Sequence, residues 1–365
     1  MIKQNQPYKI ALIGDCLAGG GAEKVHSILS FWFEKQGFEV HNCIFIDWIS
    51  YQYAGSLVNL GKILPNATPP IRKAKRFSAL KKFIRDNDFD FVIDFRMRQQ
   101  FVLEILLSKF IYPKNTFYTV HSGVWEYYFP KSPLLANLIY KNRNIVTVSE
   151  AIKNRILEKK IDANVHCINN PFDLHGISYM KNESISDNTK FVLAAGSMNV
   201  DNKQFDKLIA AYAKSKLPSN GISFFILGEG ENIDKYQELA EKLGVKKEVV
   251  FKGFVENPFP YYKNALFFVL SSRNEGFPNV LVEALATGTP VVSFDCFSGP
   301  NEIVKNKENG LLVEDQNFQK LASAMNEMVF DEKLYYHCKE NAIPSTENFD
   351  INKIGAQWLE LLKVK

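Results

Sequence analysis

Two carboxylates, Glu275 and Glu283, stand eight positions apart around Gly-Phe-Pro-Asn-Val-Leu-Val. An apolar run, Leu266 to Leu270, precedes them and predicts a buried strand. Ser271 to Phe277 then predicts a loop, Pro278 suits a first helical position, and Val280, Leu281 and Ala284 suit the helix that follows. On this reading Glu275 sits at the strand's carboxyl end and Glu283 lies just over a turn inside the helix. Amides at such a helix start, near Asn279 and Val280, are a ready site for phosphate. One carboxylate can then accept hydrogen bonds from hydroxyls on one side of a diphosphate, and the other from hydroxyls on its far side. A ligand with hydroxyls at both ends of a diphosphate is a nucleotide sugar. The plainer alternative is an ordinary amphipathic helix with exposed glutamates.

The elements that must position these groups alternate strand with helix, the pattern of parallel α/β layers. In the first half the expected strands are Lys9 to Ile13, His41 to Ile46, Phe91 to Phe95, Thr116 to His121 and Ile145 to Val148. In the second they are Phe191 to Ala195, Ser223 to Leu227, Val249 to Phe251, Phe267 to Leu270, Val291 to Phe294 and Leu311 to Val313. Asn170 to Thr189 is polar and irregular, the best linker candidate. A chain of 365 residues suits two domains, here read as 1–175 and 190–345 with a closing segment 346–365. Doubly wound sheets bind ligands outside the carboxyl ends of their strands, so two such domains facing each other make a cleft.

Further residues fall at those strand ends. Gly19-Gly20-Gly21 precedes a helical stretch from Ala22, where glycines let backbone approach a ligand. This turn suits a dinucleotide as well as a sugar nucleotide, although its spacing is not Gly-x-Gly-x-x-Gly. Lys203 follows the first strand of the second domain, and a solvated loop lysine is its plain alternative. His121 ends a strand of the first domain, where a histidine satisfied by backbone is the plain alternative.

The run Glu275 to Glu283 with Ala284-Leu-Ala-Thr-Gly-Thr-Pro-Val-Val292 resembles the Glu-(seven residues)-Glu signature of the family 4 retaining glycosyltransferases of GT-B fold. The resemblance covers the second domain from about residue 190 to 315 and the first domain in landmarks. It implies an α/β architecture of two Rossmann-like doubly wound domains facing across a cleft, with the last helix crossing back to the first domain. It also implies that Glu283 holds the ribose hydroxyls, Glu275 the donor sugar, and Lys203 with the amides of Asn279 and Val280 the diphosphate. Gly20 and Gly21 would lie close to donor phosphates and acceptor, Val255 at the nucleobase and Phe277 at the donor. His121 would sit beside the reacting carbon, so Glu275 and His121 are the catalytic candidates. The family pattern has Gly-Arg before its Lys-Gly; here Ser197 and Gln204 replace the arginine and the second glycine.

The activity implied is transfer of a sugar, with UDP as the commonest carrier in such families, to an acceptor hydroxyl in bacterial surface-glycan synthesis. The acceptor would be a glycan or a lipid-linked molecule bound mainly by the first domain. Its loops 95–100 and 122–133 offer Arg96, Arg98, Trp125, Tyr127 and Tyr128 for a phosphate or sugar rings, or for packing. Two alternatives are a nucleotide-sugar 2-epimerase of the same architecture and a non-catalytic nucleotide-sugar or membrane-binding module.

Composition bounds the rest. Hydrophobic residues make up 46% and charged residues 23%, as in globular domains. Met1 to Pro7 is polar, so no secretory leader is expected, and no run reaches the ~20 apolar residues that span a bilayer. The expected setting is cytoplasmic, with peripheral attachment to the inner face of the cytoplasmic membrane. Five scattered cysteines suggest reduced thiols without a zinc site. Residues 1–180 hold 23 Lys+Arg against 15 Asp+Glu, +8, which leaves −4 for the remainder of a net +4. Much of that charge lies in Ile71 to Arg85, a basic amphipathic helix suited either to an anionic membrane or to packing on a sheet. No nucleic-acid partner and no cofactor is expected. The Asp-x-Asp patterns at Asp86, Asp88 and Asp90 precede a strand, away from a ligand crevice, so no metal is expected there either.

Overall fold

The strands expected from apolar runs form two wholly parallel sheets in a computed structural model that describes residues 6–187 and 189–364. The opening residues 1–5 of the polar start noted above lie outside the described residues. One unit comprises Met1–Phe172 with Ile351–Lys365, and the other Asp173–Asp350.

In the first unit the strands are β1 (Lys9–Gly14), β2 (Glu39–Ile44), β3 (Ser56–Asn59), β4 (Phe91–Asp94), β5 (Thr116–Val120), β6 (Asn144–Thr147) and β7 (Asn164–Cys167), ordered β3-β2-β1-β4-β5-β6-β7. In the second they are β8 (Phe191–Ala195), β9 (Ser223–Leu227), β10 (Val249–Gly253), β11 (Phe268–Leu270), β12 (Val291–Phe294) and β13 (Gly310–Val313), ordered β10-β9-β8-β11-β12-β13. Central strands are buried on both faces and therefore read as continuous apolar runs. The edge strands β3 and β7, Ser-Leu-Val-Asn and Asn-Val-His-Cys, are half-exposed and mixed in composition, which hid them from the sequence reading.

One expectation changes, and of the two uses left open for the basic helix the structure shows the packing one. The stretch read as a linker contains a helix, Leu174–Met180, because the Asp173 carboxylate accepts the Gly176 amide at 2.9 Å and Ile177 is buried. The helix Pro69–Asn87 buries Leu80, Phe83 and Ile84, so its apolar stripe serves the unit's own interior and its outward face is basic.

The closing helix Ile351–Leu362 buries Ile354, Trp358 and Leu362 within the core of the first unit. Gly355 lets it press on the helix Gly21–Lys35: a Cβ at Gly355 would lie 2.2 Å from the Trp32 ring. Gly355→Ala is therefore expected to destabilise the first unit by about 1–3 kcal/mol through overpacking, although alanine is the better helix former. Chemical denaturation measures this, and an unchanged midpoint would contradict the packing.

Candidate active site

The order of the second sheet reverses between β8 and β11, and a doubly wound sheet opens its ligand crevice beyond the carboxyl ends of strands at such a point. The loops leaving these two strands are stitched together. Arg273 N–H donates to Asn202 O at 2.9 Å, Asn202 Nδ2 to Asn274 O at 3.0 Å, Ser271 Oγ to Lys203 O at 2.7 Å and Gln204 Nε2 to Ser271 O at 2.8 Å. Gln204 adopts a left-handed backbone, φ 52° and ψ 43°, before the helix Phe205–Lys214. That conformation explains why a glycine is expected at this place. Glutamine offsets the roughly 1–2 kcal/mol penalty of the left-handed region with its hydrogen bond across to the loop after β11.

Lys203 and Glu275 meet in this stitched pair of loops, with Nζ to Oε1 at 2.7 Å and side chains 19% and 13% exposed. The aliphatic stem of Lys203 lies on Gly196, where a Cβ would come within 3.0 Å of its Cγ and Cε. Packing and charge thus fix the ammonium at the crevice, while its three N–H donors exceed what one carboxylate oxygen uses. Ser197, at the family's arginine position, accepts the Asn199 amide at 3.3 Å and is exposed. The cation the sequence reading missed is Arg273, exposed on the β11 loop with its amide bonded to the residue before Lys203.

The Glu275 loop is gripped from the next strand. Ser298 Oγ donates to Gly276 O at 2.6 Å, and Gly299, at φ 97°, packs so closely that a Cβ there would lie 2.5 Å from Pro278. The helix begins at Asn279, with Pro278 as its capping residue and not its first helical position, because Pro278 keeps a non-helical ψ of 88°. The backbone of Asn279 and Val280 forms its first turn. The Phe277 ring turns inward, 5% exposed and edge-to-face with Phe349 at 5.3 Å, so its side chain serves the unit's interior. Glu283 is 6% exposed and accepts a hydrogen bond from the Tyr262 hydroxyl at 3.3 Å. Tyr262 is in turn tied through its carbonyl to Thr289 Oγ1 at 2.6 Å. Burial and the Glu283 carboxylate push the Tyr262 phenol well above its usual range, so it stays a donor.

Glycine turns finish the floor. Gly228, φ 124°, lies against the Gly196 carbonyl, and its amide reaches Gly253 O at 2.8 Å. Beyond β10, Val255 is half-buried, while Phe254 is 71% exposed with its amide on Glu229 Oε1 at 3.3 Å. Phe254 is a second residue the sequence reading passed over.

In the first unit, Gly20 caps and Gly21 begins the helix Gly21–Lys35, and a Cβ on Gly20 would lie 2.1 Å from Glu23 Oε2. That carboxylate folds back over the helix start, and burial raises its pKa. His121 follows β5; its ring stacks on Phe95 at 5.7 Å and both ring nitrogens are shielded from solvent. Arg96 and Arg98 are internal. Arg96 pairs with Asp94 at 2.8 Å and Glu104 at 3.0 Å, and Arg98 donates to Thr119 O at 2.6 Å and Tyr140 Oη at 3.0 Å. Trp125 stacks on Phe129 at 4.4 Å and Tyr128 is buried, so these acceptor candidates are largely packing, with Tyr127 exposed.

Burial lowers His121 to a pKa of about 3, with Arg98 adding to the shift, and lowers His26, which also stacks on Phe95, to about 4. Both are neutral at pH 7. Because the unfolded values lie near 6.5, the unfolded chain binds more protons between that pH and about 4. Their contribution to stability is thus complete above pH 6.5 and falls as the medium is acidified. Denaturation midpoints for the protein and for His26→Gln are expected to converge as pH drops from 7 to 4.5. A constant gap contradicts this.

Residues 19–175 match the family described as Glycosyltransferase Family 4, and residues 178–344 that described as Glycosyl transferases group 1. The chain is 29% identical to the Campylobacter jejuni N-acetylgalactosamine-N,N'-diacetylbacillosaminyl-diphospho-undecaprenol 4-alpha-N-acetylgalactosaminyltransferase, over 97% of this chain and 99% of that one. It is 24% identical to the lipopolysaccharide 1,6-galactosyltransferase of Salmonella typhimurium, over 93% of each. Among solved structures, Anabaena HepE in complex with UDP-glucose superposes with TM-score 0.78 at 20% identity, covering 98% of this chain and 100% of that one. The lipopolysaccharide outer core galactosyltransferase WaaB gives TM-score 0.69 at 21% identity, covering 97% and 99%. Two parallel sheets of this build, matches to both glycosyltransferase models that together span residues 19–344, and the glycosyltransferase relatives make the chain a member of the family 4 glycosyltransferases of GT-B fold.

Proposed function

We propose that this glycosyltransferase moves a sugar, with retention of anomeric configuration and without a divalent metal, from a UDP-sugar to an acceptor hydroxyl in bacterial surface-glycan synthesis. The observation that carries the reading is the Lys203–Glu275 pair at the reversal of the second sheet. A diphosphate there would share the Lys203 ammonium and lie at the start of the helix Asn279–Thr287, while Glu275 takes hydroxyls of the donor sugar and Glu283 those of the ribose. Val255 and its neighbour Phe254 would meet the base.

In the transfer, the bond from the sugar's anomeric carbon to the diphosphate oxygen breaks as the acceptor oxygen bonds to the same face of that carbon. The acceptor proton passes to the departing phosphate, and no side chain is nominated as a covalent nucleophile. Lys203 and the helix start stabilise the leaving charge, so electrostatics and positioning supply the acceleration. The acceptor, a glycan or lipid-linked molecule as the relatives' names suggest, would bind the first unit.

Incubation with a panel of UDP-sugars and bacterial lipid-linked glycans tests this. Release of UDP with an α-linked product from an α-linked donor, undiminished by EDTA, is the expected result. A C2-epimer of the donor, a β-linked product, or loss of activity in EDTA would overturn the corresponding part. Among the described residues no helix is long and apolar enough to cross a membrane. On this reading the exposed cations Lys75, Lys81, Lys82 and Arg85 attract an anionic bilayer surface. Co-sedimentation with anionic vesicles that is unchanged after Lys/Arg→Ser substitution there would remove the attachment.

A further inference from the structure

Among the described residues, Lys203 and Arg273 are the cations of the loops that leave the carboxyl ends of the second sheet, at 196–204, 228–232, 254–258, 271–278, 295–299 and 314–317. Each of those loops also carries a carboxylate: Asp201, Glu229, Glu256, Glu275, Asp295 and Asp315 in turn. A crevice bounded in this way repels an anion unless its cations stand against the anion itself. Lys203 does not suffice alone. Its ammonium meets Glu275 at 2.7 Å, so the pair adds no net charge, and a diphosphate laid against it meets attraction and repulsion together.

Arg273 supplies the charge that the pair lacks. It is exposed, and among the described residues its guanidinium has neither a carboxylate partner nor a hydrogen bond. Its backbone, by contrast, is fixed. The Arg273 amide donates to Asn202 O at 2.9 Å, and Asn202 Nδ2 donates to Asn274 O at 3.0 Å, so the residue before Lys203 brackets this point of the chain twice. Asn274 forms an isolated parallel bridge with Phe297, and its Oδ1 is shielded from solvent. Side chains alternate along extended backbone, which puts Arg273 and Glu275 on the side opposite to Asn274, the side where Glu275 meets Lys203. Ser197, exposed and accepting the Asn199 amide, brings no charge to the β8 loop.

We infer that Arg273 grips the donor's diphosphate together with Lys203. The inference rests on the reading of this crevice as the donor site, and adds the residue that turns an electrically balanced pair into an anion-binding one. Two N–H groups of a guanidinium match two oxygens of one phosphate, and because this fork is unengaged, no ion pair has to break before the donor binds. As the bond from the anomeric carbon to the diphosphate oxygen breaks, its electron pair moves onto the phosphate, and the guanidinium stabilises that charge.

Titration of UDP by calorimetry, and of uridine by ligand-observed NMR, into the whole chain, Arg273→Gln, Arg273→Lys and Lys203→Met tests this. Arg273→Gln is expected to weaken UDP by about tenfold or more and to leave uridine, which has no phosphate, within about twofold of the parent. Arg273→Lys keeps the charge without the fork and should fall between the two. The gap between parent and Arg273→Gln should narrow as sodium chloride rises from about 0.05 to 0.5 M, because an exposed charge is screened. UDP binding as tight in Arg273→Gln as in the parent overturns the inference. An equal loss for uridine and UDP overturns it too, since Arg273 would then be supporting the loop and not the phosphates. Failure of UDP to bind the parent counts instead against the donor site, whereas weakening in Lys203→Met with none in Arg273→Gln sinks Arg273 alone.

Discussion

Glu275→Gln lowers kcat for sugar transfer by about 10²–10³-fold while the KM for the donor changes by less than about threefold. Glutamine keeps the shape of the side chain and one acceptor oxygen, so the stitched loops at 202–204 and 271–274 remain joined by bonds that do not involve residue 275. On the proposed reading, what is lost is the negative charge facing the donor sugar, where positive charge would develop as the bond to diphosphate lengthens. Lys203 loses the opposing charge of its 2.7 Å partner, so ground-state attraction for diphosphate holds or strengthens. An effect confined to kcat separates this role from simple binding, and a variant within about threefold of the unsubstituted kcat removes Glu275 from the reaction.

Glu283→Ala acts on the other half of the measurement. Two hydroxyl hydrogen bonds to a buried carboxylate contribute about 1.5–3 kcal/mol each, so kcat/KM falls by about 100-fold or more, largely through the donor KM. Tyr262→Phe leaves the carboxylate in place without its 3.3 Å donor and is expected to cost about tenfold at most. Alanine at 283 strands the Tyr262 hydroxyl in the interior, so the comparison is made on protein whose circular dichroism matches the parent. If Tyr262→Phe were as damaging as Glu283→Ala, the pair would be holding the unit together and not a ligand.

Much of this site was legible before any coordinates, for a physical reason. Strands buried on both faces carry unbroken apolar runs, and each run ends where the chain turns to polar residues beside a crevice, so Lys203, Glu275 and Glu283 could be placed relative to β8 and β11 from composition and motif. What could not be read depends on partners distant in sequence. Nothing local says that Gln204 takes a left-handed backbone secured by Ser271, or that Tyr262 stands under Glu283. Arg96 and Arg98 follow a strand at the carboxyl edge, as ligand-binding residues do, yet Asp94, Glu104 and backbone carbonyls consume them. The basic helix shows the same limit: its stripe was evident, but only the tertiary fold assigns that stripe to the interior and leaves Arg72, Lys73 and Arg76 beside a cavity.

Isothermal titration of UDP into the whole chain and into Lys203→Met tests the central claim most directly, because methionine retains the stem packed on Gly196 and removes the charge alone. UDP is expected to bind the parent chain at micromolar concentration and the variant at least about tenfold more weakly. Equal affinity in the two proteins, or no binding to the parent, would contradict a diphosphate at the reversal of the second sheet.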